Sequence, residues 1–155
     1  MRIALVSLAA VAAAAAATPA LANEARVEAH GGVIWDGSDS EAVIGIGAGY
    51  DYDLGESTFV GIEGSADKIL TDNTRVSWGI GGRAGFKVTP ATKVYAAANW
   101  QSKYCRFCNS AVGVGGGVQQ DIGQRYYVKA EYKHLLVGDN TPDADQGLVG
   151  VGVKF

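Results

Sequence analysis

The sequence predicts an all-β fold, an eight-stranded antiparallel up-and-down transmembrane β-barrel, and three observations predict it. Two-residue alternation recurs over eight segments of roughly ten residues, the period of a strand with two unlike faces. The connections between these segments alternate longer and shorter. The large aromatics gather at the two ends of the apolar face, leaving its middle to Val, Ile, Ala and Gly.

Composition bounds the alternatives. A chain of 155 residues fits one domain. Its 48% hydrophobic and 19% charged fractions exclude intrinsic disorder. All 22 Gly fall after residue 22, roughly twice ordinary usage. That excludes a mostly helical domain, since an interior Gly costs a helix about 1 kcal/mol against Ala. A formal net charge of -3 lacks the basic stripe of a nucleic-acid binder, so no nucleic-acid partner is expected.

Residues 1–22 read as a secretory signal peptide: Arg2, an uncharged run from Ile3 to Ala17, and an Ala20-Leu21-Ala22 cleavage site. The apolar run falls short of the ~20 residues that span a bilayer as a helix. Residues 23–155 then form the single barrel domain.

The eight segments are 25–35, 42–52, 57–67, 75–88, 93–102, 111–122, 125–135 and 146–155. The first sets Arg26, Glu28 and His30 against a face ending in Trp35. In the second, Ala42, Ile44, Ile46, Ala48, Tyr50 and Tyr52 oppose Val43, Gly45, Gly47, Gly49 and Asp51. The third carries Glu63 and Asp67 on its polar face. In the fourth, Trp78, Ile80, Ala84 and Phe86 oppose Arg83 and Lys87. The fifth pairs a polar face with Lys93 to an apolar face ending in Trp100. The sixth alternates through Gly113, Gly115 and Gly117. The seventh sets Tyr126 and Tyr132 against Lys129, Glu131 and Lys133. The last sets Val149, Val151, Val153 and Phe155 against Leu148, Gly150, Gly152 and Lys154.

The intervening lengths run 6, 4, 7, 4, 8, 2 and 10, the alternation of extracellular loops with periplasmic turns. Threaded up and down from the periplasm, Trp35, Trp78, Trp100, Tyr104 and Tyr132 fall near the loop end. Tyr50, Tyr52, Phe86, Tyr126 and Phe155 fall near the turn end. Ten of the 14 aromatics thus form two belts at headgroup level, whereas a soluble sandwich would place them in mid-core.

The opposite face suits a barrel interior. Arg26, Glu28, Glu63, Arg83, Lys129 and Glu131 are expected to form a lumen charge network, with Glu28 or Glu63 meeting Arg83 or Lys129. Facing lipid at mid-depth, Arg or Lys would cost about 2–4 kcal/mol each. Eight strands enclose only enough room for their own side chains, so a filled core is expected rather than a pore.

Gly49-Tyr50-Asp51-Tyr52, the run Tyr127-Val128-Lys129-Ala130-Glu131-Tyr132 and the ending Gln146 to Phe155 resemble the opacity-type outer-membrane β-barrels. Those are similar in build to the OmpA membrane domain and OmpX. Arg26-Val27-Glu28-Ala29 resembles the first strand of alphaproteobacterial members. The resemblance covers essentially the whole chain after residue 22. It implies an outer-membrane location in a Gram-negative bacterium, contact with outer-membrane lipid and lipopolysaccharide, a structural or adhesion-like role, and no shared catalytic residues. It also implies that Val149, Val151, Val153 and Phe155 form the signal read by barrel-assembly machinery. A monomer is expected.

Other chemistry is weakly supported. Cys105-x-x-Cys108 has a redox reading and half of a zinc reading, but it lies between strands without a second pair of ligands. A small loop disulfide in an oxidising compartment is the better reading. Gly79-x-Gly81-x-x-Ala84 matches a dinucleotide fingerprint in spacing alone, because it sits inside a strand. His30 and His134 lack second ligands for haem or metal. Neither is followed two residues on by the Ser of one group of lipid A-modifying barrels. Asp36, Asp39 and Glu41, and Asp139, Asp143 and Asp145, lack EF-hand spacing and read as solvated loops. No cofactor or metal is expected, and no enzyme activity. A small channel, a lipid A-modifying enzyme and a ligand-binding surface protein stay as alternatives.

Overall fold

The computed structural model describes residues 23–37, 39–138 and 141–155. The proposed signal peptide lies outside these residues. The strands are β1 (Glu24–Asp36), β2 (Asp39–Asp53), β3 (Thr58–Ile69), β4 (Ser77–Thr89), β5 (Thr92–Gln101), β6 (Ala111–Ile122), β7 (Tyr126–Val137) and β8 (Ala144–Lys154). Each pairs antiparallel with its neighbours in sequence, and β8 pairs back onto β1 to close the barrel. Closure leaves no strand edge unpaired, the condition for a sheet to cross hydrocarbon. No helix among the described residues is long and apolar enough to cross a membrane, which does not bear on crossing by strands.

The alternation read from sequence is the alternation of faces. Ile44, Ile46, Ile62, Trp78, Ile80, Phe86, Val149 and Val151 are exposed on the outside, while Arg26, Glu28, Asp51, Arg83, Lys129 and Glu131 are buried in the lumen. A soluble protein has the reverse arrangement. Here the outer surface is apolar and the charges find their partners inside.

Most strand ends lie within two residues of expectation, and two of the differences matter. The connection expected over residues 36–41 is much shorter, because β1 and β2 continue to an Asp36–Asp39 pair. Gly37, at φ 57°, supplies the left-handed backbone of this tight hairpin. The polar residues Asp39, Ser40 and Glu41 suggested a loop, yet they extend a strand above the apolar zone. Connection lengths become 2, 4, 7, 2, 9, 3 and 6, so the strict alternation fails at the first pair. The fourth strand also starts later, at Ser77. Arg75 belongs instead to a junction between two loops, where its N–H donates to the Tyr104 carbonyl at 2.8 Å and its Nε donates to the Lys103 carbonyl at 3.1 Å.

Candidate functional site

The lumen is built in layers. Under the outer mouth, Val43, Ile69 and Leu148 pack with Ile34 into an apolar lid. Below it, His30 Nε2 lies 2.6 Å from Asp67, which also accepts a 2.6 Å bond from the Ser65 hydroxyl. Lys129 reaches Glu28 at 2.5 Å, and the Tyr127 hydroxyl donates to Glu28 at 2.7 Å. Glu131 takes Lys133 at 2.7 Å and the Tyr95 hydroxyl at 2.7 Å. Arg26 donates to Glu63 at 2.8 Å.

Deeper still, Asp51 is fully buried and accepts two bonds from the Arg83 fork, the one from Nε at 2.9 Å. Arg83 also donates to the Gln119 side chain at 3.0 Å and stacks 4.7 Å from the Tyr95 ring centre and 5.4 Å from that of Phe59. Lys93 and Glu24, 2.8 Å apart, begin the mouth at the turn end, where Lys87 meets Asp53 and Lys154 meets Asp121.

Register explains which residues meet. Asp51 and Arg83 both pair with Gly61, one from β2 and the other from β4. A Cβ on Gly61 would strike the Asp51 carboxylate. Arg26 and Glu63 flank Gly49 in the same way. The expected alternatives therefore resolve unequally: Glu28 meets Lys129, Glu63 meets Arg26, and Arg83 meets neither glutamate. Asp51, Phe59, Tyr95, Gln119 and Tyr127 were missing from the expected network. All occupy the inward parity of their strands, so the signal was present in the alternation.

On the outside, Trp35, Trp78, Trp100 and Tyr132 lie toward the loop end, and Tyr50, Tyr52, Phe86 and Tyr126 toward the turn end. Tyr104 differs: it lies beyond β5 and lines a recess at the mouth with Asp36, Asp39 and Glu41. Partial burial and the nearby Asp36 and Glu41 raise its phenol pKa above the ordinary value. The structure pairs the Cys105 and Cys108 sulfurs in the β5–β6 loop and leaves Phe107 between them 91% exposed. Among the described residues, no three His, Cys, Asp or Glu side chains stand together as a metal site. Asp139 lies outside those residues, while Asp143 and Asp145 both face His134.

Comparison with known proteins places this geometry. A family model described as an outer membrane protein beta-barrel domain matches residues 3–155. No curated protein sequence matches the chain. Among solved structures, Neisserial surface protein A is 18% identical, with 86% of this chain and 97% of that one covered at TM-score 0.58. The N-terminal barrel of Pseudomonas aeruginosa OprF is 14% identical, with 85% and 97% covered at TM-score 0.55. The attachment invasion locus protein Ail of Yersinia pestis is 10% identical, with 86% and 97% covered at TM-score 0.58. At such identities the likeness is one of fold.

Proposed function

Because the chain belongs to the outer membrane β-barrel domain family, we propose that it is a sealed, non-enzymatic envelope barrel with a structural or surface-contact role. The filled lumen carries this reading. The cavity among Arg26, Glu28, His30, Glu63, Asp67 and Lys129 is about 20 Å³, room for about one water. The apolar lid lies above it and the Phe59–Arg83–Tyr95 stack below, which argues against the channel alternative. Among the described residues the salt-bridge partners of His134 are Asp143 and Asp145, and Leu136 rather than a Ser lies two residues on, which argues against a lipid A-modifying enzyme. The exposed Phe107 and Arg106, held in a Cys105–Cys108 disulfide loop, support surface contact.

The same reading assigns residues 1–22 to a cleaved signal peptide. It assigns the outer belts to lipid and lipopolysaccharide, and outward Val149, Val151, Val153 and Phe155 to recognition by barrel-assembly machinery. The working unit is a monomer without a cofactor. Planar-bilayer recording of the inserted protein tests the central point. The expected trace shows no discrete conductance steps, and reproducible steps would overturn the sealed reading.

A further inference from the structure

The strands turn their Lys and Arg side chains into the lumen, with one exception. Among the described residues, Lys68 is the one Lys or Arg at an outward strand position. It stands at the outer end of β3, directly above Ala66 and Gly64 on the same face. Those two small residues pair with Ile46 and Ala48 of β2 on one side and with Trp78 and Ile80 of β4 on the other. Ile46, Trp78 and Ile80 are each more than half exposed. They wall a furrow that climbs β3 from Gly64 for about 13 Å and ends at Lys68. Trp78 marks the level at which such rings settle in a membrane interface.

Further cations join Lys68 where the β3–β4 and β5–β6 loops meet. Its ammonium donates to the Thr74 carbonyl and, at 2.5 Å, to the Thr74 hydroxyl, which uses two of its three N–H groups. Arg75, next in the chain, donates from Nε to the Lys103 carbonyl at 3.1 Å, which holds its guanidinium against the second loop. Arg106 follows within the Cys105–Cys108 ring. Arg75, Lys103 and Arg106 are exposed, and among the described residues none of the four cations has a carboxylate within salt-bridge distance. Asp72 is the one carboxylate in residues 68–120, and it lines the mouth recess with Asp36, Asp39 and Glu41. The outer rim is thus divided, with acid around the recess and base above the furrow.

We propose that the outer face of β3 and β4 seats one molecule of lipid A, the phosphorylated anchor of lipopolysaccharide. One acyl chain lies in the furrow and one sugar phosphate sits at Lys68 and Arg75. The inference rests on the membrane reading above and names the lipid group and its site. Charge complementarity selects a phosphate, which accepts from Lys68 and Arg75 while Lys103 and Arg106 add to the positive field. Position selects a lipid over a soluble anion, because Lys68 belongs to the apolar outer face and heads the furrow.

The test uses the full chain, produced with its own N-terminal segment and extracted from outer membranes. It is reconstituted in dioleoyl-phosphatidylcholine nanodiscs holding equal small amounts of bisphosphorylated lipid A and of the same lipid stripped of both phosphates. Native mass spectrometry reads the lipid retained on the released barrel. One phosphorylated lipid A should be retained over the stripped form by about tenfold, the size of one charge-assisted hydrogen bond. K68Q/R75Q should lose that preference, and Lys68→Arg, which keeps the charge, should keep it. Either single Gln variant should lower it severalfold, which decides the matter where the double variant fails to insert. Heat-modifiable gel migration reports insertion: a wild-type chain that never inserts overturns the membrane reading and this site with it. Equal retention of both lipids by the inserted wild-type barrel overturns the site alone. So does a preference that survives K68Q/R75Q, or loss of the lipid to millimolar inorganic phosphate, which would make the cluster a site for soluble anions.

Discussion

Replacing Asp51 with Asn should cost more than removing its strongest partner, Arg83. Asp51 is fully buried among three cations: the Arg83 fork, Lys93 at 3.4 Å and Arg26 at 3.6 Å. Two of these cations have a second carboxylate, Glu24 for Lys93 and Glu63 for Arg26, each at 2.8 Å. For Arg83 no second carboxylate stands within salt-bridge distance among the described residues; it keeps only Gln119 and two rings. Asp51→Asn therefore strands one buried guanidinium, a loss of about 3–5 kcal/mol. Arg83→Met retains much of the volume and leaves Asp51 with Lys93 and Arg26, so about 1–3 kcal/mol is expected, part of it lost cation–π contact. The double variant should cost less than the two singles summed, by about 2 kcal/mol, because no stranded charge remains. Urea unfolding of the inserted barrel in lipid vesicles measures all three, followed by Trp fluorescence and by gel migration. The reasoning is refuted if Asp51→Asn costs under about 1 kcal/mol, below the range for a broken buried pair, or if the two substitutions simply add.

Gly61→Ala places a Cβ against Asp51 and 2.9 Å from the Tyr50 carbonyl, so a loss of about 1–3 kcal/mol is expected in the same assay. Gly64→Ala, on the same strand but facing lipid, meets nothing nearer than 3.7 Å and should stay within about 0.5 kcal/mol. Tyr95→Phe removes one donor from Glu131, which keeps Lys133 at 2.7 Å, so the loss should be near 1 kcal/mol, about one neutral-to-charged hydrogen bond. Replacing Cys105 and Cys108 together with Ser opens a ring too short to constrain much of the unfolded chain, about 2 kcal/mol or less. Insertion and heat-modifiability should persist; a double variant that failed to insert, or stoichiometric zinc on the wild type, would discard the disulfide reading.

Strand number, topology and the facing of each side chain were legible in the sequence because period two maps directly onto the two faces of a strand. The β1–β2 hairpin was not legible. Above the apolar zone both faces meet water, so alternation carries no signal there, and Asp39-Ser40-Glu41 looks the same in strand or loop. Tyr104 was misplaced for a related reason. Its parity continues that of Trp100, but the strand ends at Gln101 and parity has no meaning beyond it. The lumen pairs were unreadable in another way. Parity says which residues enter the lumen, while height in the barrel depends on register, and register depends on turn lengths that were uncertain by a few residues.

Once register is known, five of the pairs follow one rule that also explains their glycines. Tyr127 and Glu28 flank Gly152, Tyr95 and Glu131 flank Gly117, His30 and Asp67 flank Gly45, Arg26 and Glu63 flank Gly49, and Asp51 and Arg83 flank Gly61. In each case two polar side chains, two strands apart, meet over a residue with no side chain. Their strands are about 9.6 Å apart, a gap that Arg, Tyr or His can close toward a carboxylate only across an empty centre. A Cβ on Gly49 would sit 2.7 Å from the Arg26 guanidinium carbon, and one on Gly117 would sit 2.7 Å from the Tyr95 hydroxyl. The bridges thus help to fix register where the lipid face does little to fix it. Outward Val, Ile and Ala would tolerate a slip of two residues, since any of them suits hydrocarbon. Inside, the same slip on β2 would carry His30 from Gly45 to Val43, filling the space its partner Asp67 must reach. Buried charge in this barrel is therefore not only a load to be neutralised: it selects one pairing of strands among several that the membrane would accept equally.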